Sequence, residues 1–144
     1  MEPRVSIITL GVRDLESSRK FYTGLGFESS TFSQDSITFY KTQGVCVALY
    51  PLEELAKDVS EEFGKTAGHG GFSGITLAHN TRSKHEVDEI LKLAVELGAT
   101  LEKPAQEVFW GGYSGYFSDP DGYLWEIAYA DFWQFNEDGS LILE

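Results

Sequence analysis

A single cysteine, Cys46, stands among 144 residues, so no internal disulfide can form and the cysteine-rich zinc cages are excluded. It sits in the apolar run Val45-Cys-Val-Ala-Leu49 and reads as a small buried hydrophobe rather than a reactive thiol. Long hydrophobic runs are missing as well. The start, Met1-Glu-Pro-Arg, carries none, so neither a signal peptide nor a membrane span is expected, and the cytoplasm is the simplest compartment. Basic residues are scarce, 11 against 23 acidic ones, for a formal charge of −12. A phosphate backbone seeks a basic face, so nucleic acid is a poor partner. The acidity either keeps the surface solvated or favours cationic and neutral ligands.

What remains is ordinary in apolar content, 42%, and rich in aromatics, 14%, which cluster over 109–135. The length suits one domain with a core of its own. Val5-Ser-Ile-Ile-Thr-Leu-Gly-Val12 is β-branched and reads as a strand. Asp14 caps a helix over about 15–25, closed by Gly24 and Gly26, whose buried stripe draws on Leu15, Phe21, Tyr22 and Leu25. Short strands are expected near 27–32, 36–41 and 45–50, with Thr42-Gln-Gly44 as the last turn and Pro51 closing the set. Residues 52–73 read as a short helix and then a glycine-rich loop.

The order then recurs. Ser73–Asn80 reads as a strand, Ser83 and Glu86 form an S-x-x-E capping box, and Val87, Ile90, Leu91, Ala94, Val95 and Leu97 give the helix an apolar face that ends at Gly98. Strands near 99–103, 113–118 and 123–129 follow, the last two joined by the turn Asp119-Pro-Asp-Gly122. Ile8-Thr-Leu10 recurs as Ile75-Thr-Leu77, Leu25-Gly26 as Leu97-Gly98, and Gly44 aligns with Gly122. Two βαβββ units, about 5–51 and 73–130, therefore form an α+β domain over 1–130, with two curved four-stranded sheets around a shared cleft. Residues 131–144 are an aromatic, acidic extension that either packs over the cleft end or lines a dimer interface.

Leu10-Gly-Val-Arg-Asp-Leu15 with Ser18, Phe21-Tyr22, Leu25-Gly26-Phe27 and Gly115-Tyr-Phe-Ser-Asp-Pro-Asp-Gly-Tyr-Leu-Trp-Glu126 resemble the glyoxalase/bleomycin-resistance/extradiol-dioxygenase group, the vicinal oxygen chelate superfamily. The resemblance covers about 5–130 and implies paired βαβββ units, a cleft and, in many members, a divalent metal. It also implies where metal ligands would sit. The repeat maps those positions to Ile7, Gly74, Ala48 and Glu126, of which only Glu126 can ligate. A site of this kind takes about three protein ligands. No metal or other cofactor is therefore expected, and Glu126 is the sole ligand if there is one, with His69 its nearest candidate companion. His79 is expected on the helix side of its strand and His85 in solvent.

Strand alternation then sorts the cleft. Glu126 faces inward with Tyr116, and the same parity turns Thr38, Tyr40, Cys46, Ala48 and Tyr50 inward, with Thr76 and Thr9 on the first strands. Phe109-Trp110-Gly-Gly-Tyr113 supplies an aromatic rim. Glu126 is the expected base or cation partner, and Tyr116, Trp110, Tyr40, Tyr50, Tyr113 and Thr76 the expected ligand contacts. The plainer alternative for Glu126 is a structural carboxylate hydrogen-bonded to Tyr116 or backbone. Three functions follow: a metal-free small-molecule binder for a cationic or aromatic compound, an isomerase, lyase or dioxygenase using Glu126, or a structural homodimer with a vestigial cleft.

Overall fold

The computed structural model describes Met1, residues 5–66 and residues 71–142. It divides into two compact units, Met1–Ser73 and Gly74–Glu144.

In the first unit, β1 (Ile7–Val12) leads to α1 (Leu15–Gly24), and β2 (Glu28–Ser29), β3 (Thr38–Lys41) and β4 (Cys46–Pro51) complete a sheet of order β1-β4-β3-β2. Asp14 begins α1 because its carboxylate accepts the Ser17 N–H at 2.9 Å, satisfying a donor that the first turn leaves unpaired. β1 runs parallel to β4 and β3 antiparallel to it, placing Leu10, Leu49 and Thr38 in one row and Ile8, Val47 and Tyr40 in the next. This face meets α1, where the Tyr40 ring lies 5.9 Å from that of Tyr22. Leu49 and Tyr22 are completely buried, and each such side chain contributes about 1.5–3 kcal/mol. After β4 come two helices, α2 (Leu52–Val59) and α3 (Glu61–Thr66), where one helix and a loop were expected. α2 lies over the end of the opposite sheet face. A Cβ on Gly11 would sit 2.7 Å from the Leu52 Cδ1 and 3.2 Å from the Leu55 Cδ2.

The second unit repeats the plan with β5 (Leu77–Asn80), α4 (Lys84–Glu96), β6 (Thr100–Glu107), β7 (Tyr113–Ser118) and β8 (Leu124–Tyr129), in the order β5-β8-β7-β6. Ser83 caps α4 by accepting the Glu86 N–H at 3.2 Å. The Glu86 carboxylate reaches back to the Arg82 N–H at 2.8 Å, one residue earlier than a capping box would place it. Val87, Leu91 and Ala94 are the buried side chains of α4, and Val95 stays exposed. They pack on Phe117, Trp125 and Ile127, all buried, with the first two rings stacked at 6.4 Å. Gly115 is needed on this face, since a Cβ there would lie 2.6 Å from the Leu91 Cδ1.

Two boundaries differ from the sequence expectation for identifiable reasons. β5 starts at Leu77 rather than Ser73, because Gly74 takes a φ of +81° that breaks the extended chain. β6 runs on to Glu107, carried past Pro104 by two shifts in its pairing with β7. The extension forms a small hairpin of β9 (Gln134–Phe135) and β10 (Leu141–Ile142). It packs on its own unit: Phe132 contacts Trp110 edge-to-face at 6.2 Å, and the Arg82 guanidinium lies 4.7 Å from the Phe135 ring centre. Among the described residues no helix is long and apolar enough to cross a membrane.

Candidate functional site

Because Gly115, Phe117, Trp125 and Ile127 face α4, alternation turns Ser114, Tyr116, Glu126 and Ala128 to the other side of the second sheet. Glu126 lies in the middle of that face on a central strand. Tyr116 stands directly across from it on β7, and Ala78 beside it on β5. Lys103 of β6 is opposite Tyr116, so one row across the sheet reads Ala78, Glu126, Tyr116, Lys103. Glu126 and Tyr116 are both half-buried. Burial, then the Glu126 charge, then hydrogen bonding to that carboxylate hold the Tyr116 hydroxyl above its ordinary value of 10.0. It therefore stays a donor at neutral pH. A carboxylate has about four acceptor positions.

The remaining expected contacts disperse. Tyr113 lies on the α4 side of β7, where its hydroxyl donates to the Asp88 carboxylate at 2.9 Å and the Lys84 ammonium approaches its ring at 5.8 Å. Trp110 folds back over Gly112, whose missing side chain makes the room: a Cβ there would fall 1.8 Å from the indole. Both sit near the Tyr113–Tyr129 row, three residues and roughly 10 Å along the strands from Glu126. Thr76 precedes β5 and is exposed.

In the first unit Tyr40 and Thr38 depart from their expected face. Tyr40 is 1% exposed and packs against Tyr22 and Phe27, and Thr38 accepts a hydrogen bond from the Arg19 Nε of α1 at 2.5 Å. The reason is the turn. Six residues separate the paired Tyr40 and Val47, whereas seven separate the paired Phe117 and Trp125, so alternation carried through the shorter connection changes face. Phe39 therefore stands across from Ala48, in the place that Tyr116 holds across from Glu126. Cys46, Ala48 and Tyr50 keep the expected face, with Tyr50 half-buried beside Gly11.

The first strands also align differently from their letters. Thr9 pairs with Ala48 but Ala78, not Thr76, pairs with Glu126, a two-residue slide relative to the shared Ile-Thr-Leu. His79 stands beside Ile127 on the helix face, and His85 is exposed 3.1 Å from Glu89. His69 lies outside the described residues. Among the described residues no three His, Cys, Asp or Glu side chains gather into a ligating group. Flanked by an alanine and a phenol, Glu126 is the one carboxylate in this row. Lys103 and Phe39 went unnoticed in the sequence. The pairing shifts of β6 and the short turn before β4 hide both from simple alternation.

Several solved structures share this architecture. A glyoxalase-related enzyme from Fulvimarina pelagi is 34% identical, with 98% of each chain covered and a TM-score of 0.83. The genomically encoded fosfomycin resistance protein FosX from Listeria monocytogenes is 25% identical over 92% of this chain and 97% of its own, at a TM-score of 0.68. A lactoylglutathione lyase from Agrobacterium tumefaciens, 22% identical over 92% and 98%, shares the fold at a TM-score of 0.66. No curated protein matches the chain in sequence. The family description Glyoxalase/Bleomycin resistance protein/Dioxygenase superfamily matches residues 4–127, and with the paired βαβββ units it establishes that the chain belongs to that superfamily.

Proposed function

We propose that the protein binds a small organic molecule on the face of its second sheet away from α4, with the Glu126–Tyr116 pair as the polar anchor and without a metal. The observation that carries this reading is the pair itself: a half-buried carboxylate at mid-sheet whose only cross-strand partner on β7 is a phenol held in its donor form. A carboxylate with acceptor positions to spare suits a cationic or donor-rich compound, and the acidity of the chain raises the local concentration of cations. The acidic character likewise argues against a nucleic-acid partner.

The test is a titration with proflavine, a planar aromatic cation, followed by tryptophan quenching. Saturable binding that weakens about tenfold or more in Glu126→Gln supports the reading; equal binding by both proteins ends it. A second reading draws on the 34% identical structure, described as a glyoxalase-related enzyme. There Glu126 would serve as the proton acceptor of a lyase or isomerase. Turnover lost in Glu126→Gln, or stoichiometric uptake of iron(II), nickel, manganese or zinc that the same substitution releases, would move that reading to the front.

A further inference from the structure

We infer that the first unit carries a ligand groove of its own, built for a planar aromatic acid. A groove of about 690 Å³ opens beside the β3–β4 hairpin, with Phe39, Lys41 and Cys46 on its sheet side, Phe32 and Gln34 on its loop side, and Thr42 at the turn. That volume is within the range of small-molecule sites. The proposal goes beyond the Glu126 reading and does not depend on it.

Three observations define the occupant. The first is aromatic. Phe32, 81% exposed, and Phe39 both line the groove, so two phenyl rings border it. An exposed phenylalanine on a loose loop would mean little, but this loop is held at several points. Arg19 reaches from α1 to donate to the Gln34 and Asp35 carbonyls at 2.7 and 3.0 Å and to the Thr38 hydroxyl. Ser33 Oγ accepts the Phe39 N–H at 3.0 Å, and Gln34 and Ile37 exchange backbone hydrogen bonds. The loop backbone that carries Phe32 is therefore held before any ligand arrives, which lowers the cost of ordering it.

The second observation is charge. No Asp or Glu lines the groove, although acidic residues outnumber basic ones two to one in the chain, and Lys41 is the cation in the lining. Glu28 meets the Lys41 ammonium at 3.5 Å across β2 and β3, with both side chains more than half exposed. An exposed pair of that kind is weak and yields to a better-placed anion. The third is hydrogen bonding: the Gln34 amide offers two N–H donors to an acid group, while the Thr42 hydroxyl already donates to the Val45 carbonyl. An aromatic ring with an acid group satisfies all three.

Cys46, the sole cysteine, lines the groove and reports its occupancy. The rate of Cys46 alkylation by iodoacetamide is measured with 1-naphthoate, and again with 1-naphthylmethylammonium, which has the same rings and the opposite charge. Calorimetry of both probes runs alongside, so that a sluggish thiol does not decide the matter. Naphthoate is expected to slow alkylation about tenfold at saturation and to bind measurably by heat, while the ammonium probe does neither. Lys41→Met removes the charge and keeps the stem, and should abolish the preference between the two probes. Phe32→Ala should weaken naphthoate several-fold. Arg19→Ala, a change to a positioning residue, should slow naphthoate association while leaving the charge preference intact. The proposal is overturned if naphthoate neither protects nor binds, if the ammonium probe matches it, or if Lys41→Met and Phe32→Ala bind naphthoate as the parent does.

Discussion

The two units put opposite chemistry at one address. Across the centre of the first sheet the row reads Thr9, Ala48, Phe39; across the second it reads Ala78, Glu126, Tyr116. The strand order and pairing are shared, and each helix covers the same face of its sheet. What differs is burial. Ala48 is fully buried, whereas Glu126 keeps contact with solvent. A charge is tolerated only where water or a partner can offset its desolvation, so the first unit holds an apolar pair where the second holds a carboxylate and a phenol. The scaffold is indifferent to which is used, and function is read from the row rather than the fold.

The strongest way to break that comparison is to write one row into the other. Ala48→Glu should cost upwards of about 3 kcal/mol in urea unfolding, because it buries an unpaired carboxylate, and adding Phe39→Tyr should recover part of the loss. Glu126→Ala should cost about 1 kcal/mol or less, since the side chain is half in water. Equal losses at the two positions would mean that burial does not separate the units. Next in size is Gly112→Ala. The new Cβ must displace the Trp110 indole, so about 1–3 kcal/mol and a shifted tryptophan emission are expected. The N-caps offer a like-for-like pair: Asp14→Ala and Ser83→Ala each remove one side-chain acceptor at a helix start and should each cost about 1 kcal/mol.

The smallest effect is a titration. The folded Tyr116 holds its proton more tightly than an unfolded tyrosine, so its contribution is complete below the ordinary value of 10.0 and fades as pH rises through the folded value. Phenol absorbance, read as the difference between the parent and Tyr116→Phe, should place this group above 10.0. Glu126→Gln should bring it down. A Tyr116 midpoint that ignores Glu126 would mean the two do not interact.

Much of this was legible in the letters. Asp14 and Ser83 announce both helix starts because a short acceptor side chain at a cap acts locally, and both do so in the structure. The pairing of Tyr116 with Glu126 was readable because the Asp119–Gly122 turn fixes the connection between their strands. The Asp119 carboxylate accepts from the backbone of Asp121 and Tyr123 at 2.9 and 2.8 Å. Tyr40 was misread for want of one residue in the corresponding turn of the first unit. Tyr113 and Trp110 went to other partners, Asp88 and Gly112, which no spacing rule could name.

By itself, then, the sequence determined the two βαβββ units, the order of their elements and their duplication, since caps, turns and alternation act over a few residues and leave local marks. The tertiary structure alone decided which residues share a row. A row is set by pairing between strands far apart in the chain, where one residue more or fewer in a turn, or a slide of two along a parallel neighbour, changes what a side chain meets. The groove beside Phe32 and Phe39 belongs to the same class of fact. It exists because an arginine from α1 holds a loop in place through contacts 15 to 19 residues apart.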